Sequence, residues 1–419
     1  MSASRSLAKQ IFKADLPEQV VKEMSAQTFY LAIKSEGVRN SWDLIELADK
    51  DKIQLCLDFD LWRKDRFDEE RFWDWLSLSD AEKILEPIQK ILSGIDLKLI
   101  ALMICRYVES VVLEEPTQTP PGADFYTPDK GYTWIKINIE DSDHHRLMGR
   151  LLAYIFEASP ELFYQLLSIP TVATPSELEE EAYQEKSKRL FAEGIPDDEF
   201  AFALNTPMTV EDYKVKFGRA EEGISQGRYD LVQRVTLLSA GFPVCELVDE
   251  LVRKLAKEGR KGEFDEFEAE LTLLANAALV RFGVDFSELL EVQQAVEQVR
   301  GAFNIGLEIV CGELSEDPLS VYRRGGIKPI YQVGLGALFN VRSEAQKALR
   351  QLQAHPDEDR KTPLLEPLSR PMPLCPEEIL PKRETSASEE LTVRPFYTIR
   401  EIKTALSFCT AGKKGIQIS

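Results

Sequence analysis

Three residues near position 142 have side chains that could bind a divalent cation. Asp141, Asp143 and His144 lie in the stretch EDSDHH, at the start of a predicted helix. Carboxylates and an imidazole gathered at one place could hold a metal ion or a polarised water. Acidic residues are also favoured at helix N-termini without any metal, because they interact with the positive end of the helix dipole. Both interpretations are open at the level of sequence.

A second acidic group lies on a strongly predicted helix, PSELEEEAYQEKSKRL. Glu177, Glu180 and Glu181 stand at positions i, i+3 and i+4, so they share one helix face. Helical bundles with two metals use such glutamates together with Glu-x-x-His pairs, and this chain contains no Glu-x-x-His. The same helix has the spacing of a capping box at Ser176 and Glu179. A metal-dependent enzyme or metal-sensing regulator is therefore the alternative hypothesis.

The chain offers few residues for nucleophilic catalysis. It has three histidines (His144, His145 and His355), no P-loop, no Gly-x-Ser-x-Gly and no Cys-x-x-Cys. The six cysteines are far apart, as expected for free thiols in a reducing compartment. We therefore expect a protein that is not an enzyme and carries no cofactor.

The stretch LWRKDRFDEERFWDWL has the composition of a protein interface. It contains Trp62, Arg63, Arg66, Trp73 and Trp75, and tryptophan and arginine are the residues that most often anchor interfaces. Two residues apart on a helix, Trp73 and Trp75 point about 200° apart. We therefore expect one of them to be partly exposed and to contact a protein partner. The alternative is a corner between helices with all the tryptophans in the core.

Composition limits the classes of partner. The 419 residues include 71 acidic and 51 basic side chains, giving a net charge of −20 that opposes binding to nucleic acid. The longest strongly apolar stretch, LKLIALMIC, is much shorter than the roughly 20 residues that span a bilayer. The N-terminus lacks the apolar core of a signal peptide. We expect a cytoplasmic protein that neither binds nucleic acid nor inserts into membranes.

Helical periodicity dominates the chain and predicts a predominantly all-α fold. Residues 1–113 contain short amphipathic segments separated by turn signals, as in helical-hairpin repeats. Residues 114–140 form a proline-containing connector, in which the alternating stretch YTWIKINI predicts one small β-hairpin near 123–140. Residues 141–353 contain long helices that favour a bundle.

Residues 354–419 divide into a proline-rich stretch and a final amphipathic stretch. Residues 354–396 are rich in proline and predict an extended or disordered linker. Residues 397–419 contain a C-terminal amphipathic helix.

Six residues interrupt the apolar stretches of the predicted bundle. Gly306, Gly334 and Gly336 lie inside helices, where each costs about 1 kcal/mol relative to alanine, so we expect close helix contact there. Asn276, Arg300 and Asn304 either line a polar pocket or pair with each other and with backbone.

Several stretches resemble a bacterial, all-helical protein family of unknown function. They are LDFDLWRKDRF, PSELEEEAYQEKSKRL, LANAALVRFG, VEQVRGAFNIGLEIV and KPIYQVGLGALFNVRSEAQKAL, in colinear order between residues 55 and 350. The resemblance implies an all-helical fold and brings no activity. The first region is also similar, more weakly, to the helical repeats of magnesium transporters and of the flagellar switch. The leading hypothesis is a non-catalytic interaction or scaffold module for a protein partner.

Overall fold

The computed structural model of the protein is predominantly α-helical, which confirms the predicted fold class. Strands occur in it only as short antiparallel pairs. The structure describes residues 3–78, 86–218, 245–260, 262–286, 288–353, 361–380 and 391–410. These residues form two compact units, Met1–Leu190 and Phe191–Ser419.

The first unit is built from short helices and two strand pairs. Alternate helices pack on one another, α1 on α3, α3 on α5 and α5 on α7. Its elements are α1 (Ala3–Lys13), α2 (Pro17–Glu23), α3 (Ala26–Glu36), α4 (Trp42–Leu47), α5 (Lys50–Asp60), β1 (Trp62–Arg63), β2 (Arg66–Phe67), α6 (Glu69–Ser77), α7 (Glu86–Gly94), α8 (Leu97–Tyr107), β3 (Val108–Val112), β4 (Thr133–Ile137), α9 (Ser142–Ala158), α10 (Pro160–Ser168) and α11 (Pro175–Ala192).

Side-chain caps define where several of these helices begin. Ser25, Asp49, Asp68 and Asp96 each accept a hydrogen bond from an N–H two or three residues further along, at the starts of α3, α5, α6 and α8. Each cap satisfies a backbone donor that the helix itself leaves unpaired. These boundaries are therefore local properties of the sequence.

The expected hairpin near 123–140 is only partly correct. Strand β4 forms within YTWIKINI as predicted, but its antiparallel partner is β3. Residues 108–112 continue from helix α8, and their three valines favour extended backbone. Tyr126, from the segment expected to pair, makes a single bridge to Ile135 on the other edge of β4. Two further strand pairs, β1–β2 and the pair formed by Cys375–Pro376 with Val393–Arg394, have no counterpart in the sequence prediction.

The boundary between the units lies inside the segment 141–353 that the sequence suggests is one bundle. Helix α11 belongs to the first unit, where Arg189 pairs with two carboxylates. Its guanidinium donates to Asp58 at 2.7 and 2.8 Å and to Asp96 at 3.2 Å. The two aspartates are far from Arg189 in sequence, so only tertiary contacts assign α11 to this unit.

The second unit is organised around one long central helix. Helix α18 packs on α13, α15, α16, α17, α19 and α20. The elements are α12 (Asp198–Leu204), α13 (Val210–Phe217), α14 (Glu246–Glu258), α15 (Glu263–Phe282), α16 (Leu289–Leu314), α17 (Pro318–Gly325), α18 (Ile327–Gln353), α19 (Thr362–Ser369), β5 (Cys375–Pro376), β6 (Val393–Arg394) and α20 (Ile399–Thr410).

The prediction of an unstructured linker is wrong for residues 361–380. This stretch contains helix α19, and Leu365, Leu368 and Cys375 enter the core of the second unit. Pro363 stands in the first turn of α19, where its missing N–H does not interrupt a helical hydrogen bond. Residues 354–360 and 381–390 of the predicted linker, and residues 411–419 of the C-terminal segment, lie outside the described residues.

The polar side chains inside the second unit pair with backbone and with an acidic side chain, in agreement with the second of the two interpretations of the sequence. Asn276 donates to the carbonyl of Gly194 at 2.9 Å, and Asn304 donates to the carbonyl of Tyr397 at 2.8 Å. Arg300 forms an ion pair with Asp249. These side chains connect helices rather than line a pocket.

Helices α16 and α18 approach closely at Gly306 and Gly334, as expected, whereas Gly336 lies against the carbonyl of Met208 in a loop. A methyl group on Gly334 would overlap the carbonyl oxygen of Ala302, and one on Gly306 would overlap that of Ile330. Gly312, on the exposed side of α16, has no atom near its missing Cβ.

Gly334→Ala and Gly312→Ala should therefore change stability in opposite directions. We expect Gly334→Ala to destabilise the second unit by about 1–3 kcal/mol through overpacking. Gly312→Ala should stabilise it by up to about 1 kcal/mol, because alanine is the better helix former. Thermal unfolding followed by circular dichroism measures both. Equal effects of the two substitutions would contradict the close contact of α16 and α18.

Candidate functional site

The three tryptophans of the expected interface are all buried. Trp62, Trp73 and Trp75 are 7%, 5% and 0% exposed, so the prediction that Trp73 or Trp75 is partly exposed is wrong. Helix α6 is packed on both sides. The Trp73 ring stacks on His144 at 4.8 Å between centroids, and the Trp75 indole Nε1 donates to Asp60 at 2.8 Å.

The arginines of this stretch are exposed beside the buried rings. Arg63 and Arg66 lie on the β1–β2 pair, and the Arg63 guanidinium forms an ion pair with Asp68 at 2.5 Å. The Arg63 side chain is 71% exposed. A role for these two arginines in partner binding stays a prediction. The three tryptophans expected to act with them are buried.

A buried polar centre, which no sequence pattern indicates, lies around Asp60 next to Trp75. Asp60, 1% exposed, accepts hydrogen bonds from Tyr30 at 2.8 Å, Lys34 at 3.0 Å, Arg71 at 2.6 Å and Trp75 at 2.8 Å. The donors come from helices α3 and α6, whereas Asp60 ends α5. A buried carboxylate with four donors connects three helices and is satisfied within the protein.

The acidic residues near 142 act as a helix cap. Asp141 is the N-cap of α9 and accepts from the backbone N–H of Asp143 at 3.1 Å and of His144 at 2.9 Å. The bond from His144 is the main reason that the pKa of Asp141 is lowered. Asp143 pairs with Arg146, and the His144 ring packs on Trp73.

The glutamates of α11 are also engaged in local contacts. Glu177 accepts from Thr174 at 2.8 Å, so the capping box is formed by Thr174 and Glu177 instead of Ser176 and Glu179. Glu180 accepts from Gln184 at 2.9 Å, and Glu181 pairs with Lys98 at 3.1 Å. In the part of the chain that the structure describes, no three His, Cys, Asp or Glu side chains converge as a metal site would require.

A large groove in the second unit is the best candidate for a binding site. It has a volume of about 970 Å³ and lies between α12, α13, α15 and the turn from α17 to α18. The side chains of Leu204, Leu273, Leu274 and Ile327 line it and are buried. Phe202 lies at its edge and is 55% exposed. An apolar groove with an exposed aromatic rim is typical of binding sites.

One wall of the groove is held by backbone hydrogen bonds. The side chain of Gln332 donates to the carbonyls of Ala203 at 3.1 Å and Leu204 at 3.2 Å. The N–H of Met208 donates to the carbonyl of Gln332 at 2.9 Å. These bonds connect the end of α12 and the following loop to α18, so the groove is preformed.

The groove carries as many lysines as acidic residues in its lining, although the whole chain is acidic. Lys216 and Lys328 line it, both exposed and neither with an ion-pair partner among the described residues. The guanidinium of Arg281 lies 4.8 Å above the Phe202 ring. Only Asp212 and Glu270 contribute negative charge to the lining.

Glu270 is a partly buried carboxyl group in the lining of the groove. Burial raises its pKa, and the nearby charge of Glu266 adds to this, while a hydrogen bond from the N–H of Ile327 at 3.3 Å opposes it. The adjacent Gly326 has φ +73°, which permits the tight turn into α18. A carboxyl group in this setting can accept or donate a hydrogen bond to a bound molecule.

The cysteines are poorly suited to nucleophilic chemistry. Burial raises the pKa of Cys245, Cys311 and Cys409 to about 11 and that of Cys375 to about 12. The pKa of Cys56 and that of Cys105 are raised for the same reason. These thiols therefore stay protonated, and the thiolate is the reactive form.

No sequence pattern indicates the groove, because its residues are far apart along the chain. Phe202, Glu270 and Lys328 come from three separate helices, and no motif relates them. The only local signal is the Gly325–Gly326 pair ahead of Pro329, which indicates a turn and says nothing of a cavity.

Fold and groove together define a predominantly α-helical protein with an open, largely apolar groove. The chain belongs to the family of unknown function DUF6178, whose match covers residues 1–408. This confirms the resemblance to a family of unknown function, whereas the weaker similarity to magnesium transporters and the flagellar switch is not shown. No curated protein and no solved structure matches the chain. Among the described residues, no helix combines the length and apolar character needed to cross a bilayer.

Proposed function

We propose that this protein is a non-catalytic interaction protein whose groove in the second unit binds a segment of a partner protein. The observation that carries the proposal is the groove itself, with a buried apolar floor, an exposed Phe202 at the edge and cations around it. Aromatic and arginine side chains beside an apolar pocket are the usual anchors of interfaces.

The charges around the groove select the kind of segment. The lining carries two cations, Lys216 and Lys328, and two acidic residues, Asp212 and Glu270, and Arg281 stacks on Phe202, so the groove is much less acidic than the chain with its net charge of −20. A segment with an apolar anchor flanked by Asp or Glu fits this arrangement, since complementary charge favours association and suppresses wrong partners. The overall acidity opposes nucleic acid as the partner.

Two further observations support binding over catalysis. The thiols have raised pKa values, and the residues considered for a metal site are engaged in caps and ion pairs. All six cysteines are free, which supports a cytoplasmic location as part of the proposal.

Site-specific photo-crosslinking in the native cell tests the proposal. A benzophenone side chain at position 202 should give a discrete adduct with one partner protein. The matched control is position 290, because Leu290 is 72% exposed in the same unit and does not line the groove. We expect no such adduct there. Equal labelling at both positions would count against the groove as a binding site.

Charge reversal at the groove provides the second test. Lys216→Glu combined with Lys328→Glu should reduce the adduct at position 202 about tenfold, because two attractive contacts become repulsive. Both side chains are exposed, so folding should not change. An undiminished adduct would refute the expected acidic partner.

A further inference from the structure

We infer that the outer edge of β3, in the first unit, binds an extended basic peptide as an added strand. This surface is separate from the groove, and its test does not depend on the function proposed for the groove. The inference rests on which backbone groups of β3 face away from β4.

The pairing register determines which groups those are. Tyr126 and Ile135 exchange both backbone hydrogen bonds at 2.9 Å, so Ile135 directs its N–H and C=O away from β3. Ser110 is opposite Ile135 in the register and therefore belongs to a pair that is not hydrogen-bonded. Bonds at both ends of the ladder, Leu113 N–H to Tyr132 and Asn138 N–H to Tyr107, agree with this alternation.

It follows that the even-numbered residues of β3 direct their backbone groups outward. The N–H of Val108 is used by the carbonyl of Ile104, at the end of α8. Within the described ranges, no partner accepts from the N–H of Ser110 or Val112. Val112 is also 67% exposed. An unpaired strand edge of this kind is the template that strand addition uses.

The charge beside the edge indicates the occupant. Glu109, Glu114 and Glu115 are exposed, and none has an ion-pair partner in the described part of the chain. Lys136, opposite Glu109, offsets only part of this charge. A peptide with lysine or arginine near its β-forming residues is complementary, whereas a second copy of the chain would bring the same carboxylates together.

The probe is a labelled ten-residue peptide of alternating valine and lysine, measured by fluorescence anisotropy with the full chain. We expect saturable binding, at least tenfold weaker for the peptide with glutamate in place of lysine. Two further peptides carry backbone N-methyl groups, one on all the valines and the other on all the lysines. Only one of the two should lose binding, because in an added strand only every second amide faces β3. Equal binding of the two N-methylated peptides, or no preference for the lysine peptide over the glutamate peptide, would overturn the inference.

Substitutions in the protein test the same edge independently of changes in the peptide. Ser110→Pro removes an outward N–H without touching the bonds to β4, and should weaken binding about tenfold. Val112→Pro should act in the same way if Ser110→Pro alters folding. Glu114→Lys with Glu115→Lys should weaken binding of the basic peptide. Concentration-dependent dimerisation that Ser110→Pro abolishes would overturn the inference by identifying a second copy as the occupant.

Discussion

Replacing Asp60 by alanine is expected to lower the free energy of unfolding of the first unit by about 3–5 kcal/mol. The carboxylate is 1% exposed and accepts from Tyr30, Lys34, Arg71 and Trp75. Without this carboxylate, the charged groups of Lys34 and Arg71 and the polar groups of Tyr30 and Trp75 lose the acceptor that they share. A charge that is left uncompensated at a mostly buried site is strongly destabilising.

Tryptophan fluorescence during urea unfolding measures this effect directly. All five tryptophans lie in the first unit, so the signal reports that unit alone. Asp74→Ala is the matched control, because Asp74 pairs with Arg39 and both side chains are well exposed. We expect that control to change stability by less than about 1 kcal/mol. Similar effects of the two substitutions would mean that Asp60 does not organise the core.

Trp73→Ala and Trp75→Ala are each expected to destabilise the first unit by about 3–5 kcal/mol. Trp75 is fully buried and donates to Asp60, while Trp73 is 5% exposed and stacks on His144. Each substitution leaves a cavity on a different side of α6. Both tryptophans therefore behave as core residues, although they point in opposite directions from one helix.

The same fluorescence measurement tests this prediction, since the other tryptophans remain as reporters. Phe12→Ala serves as the control, because Phe12 is 47% exposed and its truncation should change stability by less than about 0.5 kcal/mol. If Trp73→Ala left stability nearly unchanged, Trp73 would be a surface residue and the original interface hypothesis would regain support.

The sequence alone determined the local features of this protein. Helical periodicity correctly predicted a predominantly α-helical fold, and β4 forms where YTWIKINI alternates. The sequence also places Asp141 at a helix start and predicts close packing at Gly334, and the structure has both. Each of these depends on neighbouring residues or on the size of one side chain, which the sequence states directly.

Only the tertiary structure decided which surfaces are covered. Periodicity shows that Trp73 and Trp75 face opposite sides of α6, but whether both sides are packed depends on α9 and α5. The proline-rich stretch likewise becomes core at Leu365 and Leu368 because α18 provides an apolar surface for it.

The same reason explains why neither candidate binding surface could be predicted. The groove joins Phe202, Glu270 and Lys328, and the β3 edge is defined by pairing across twenty intervening residues, from Val112 to Thr133. Contacts between distant segments depend on the free energy of packing the whole chain, which no local pattern contains. Sequence therefore determined most of the helices, and tertiary packing decided which of their faces are covered and which stay exposed.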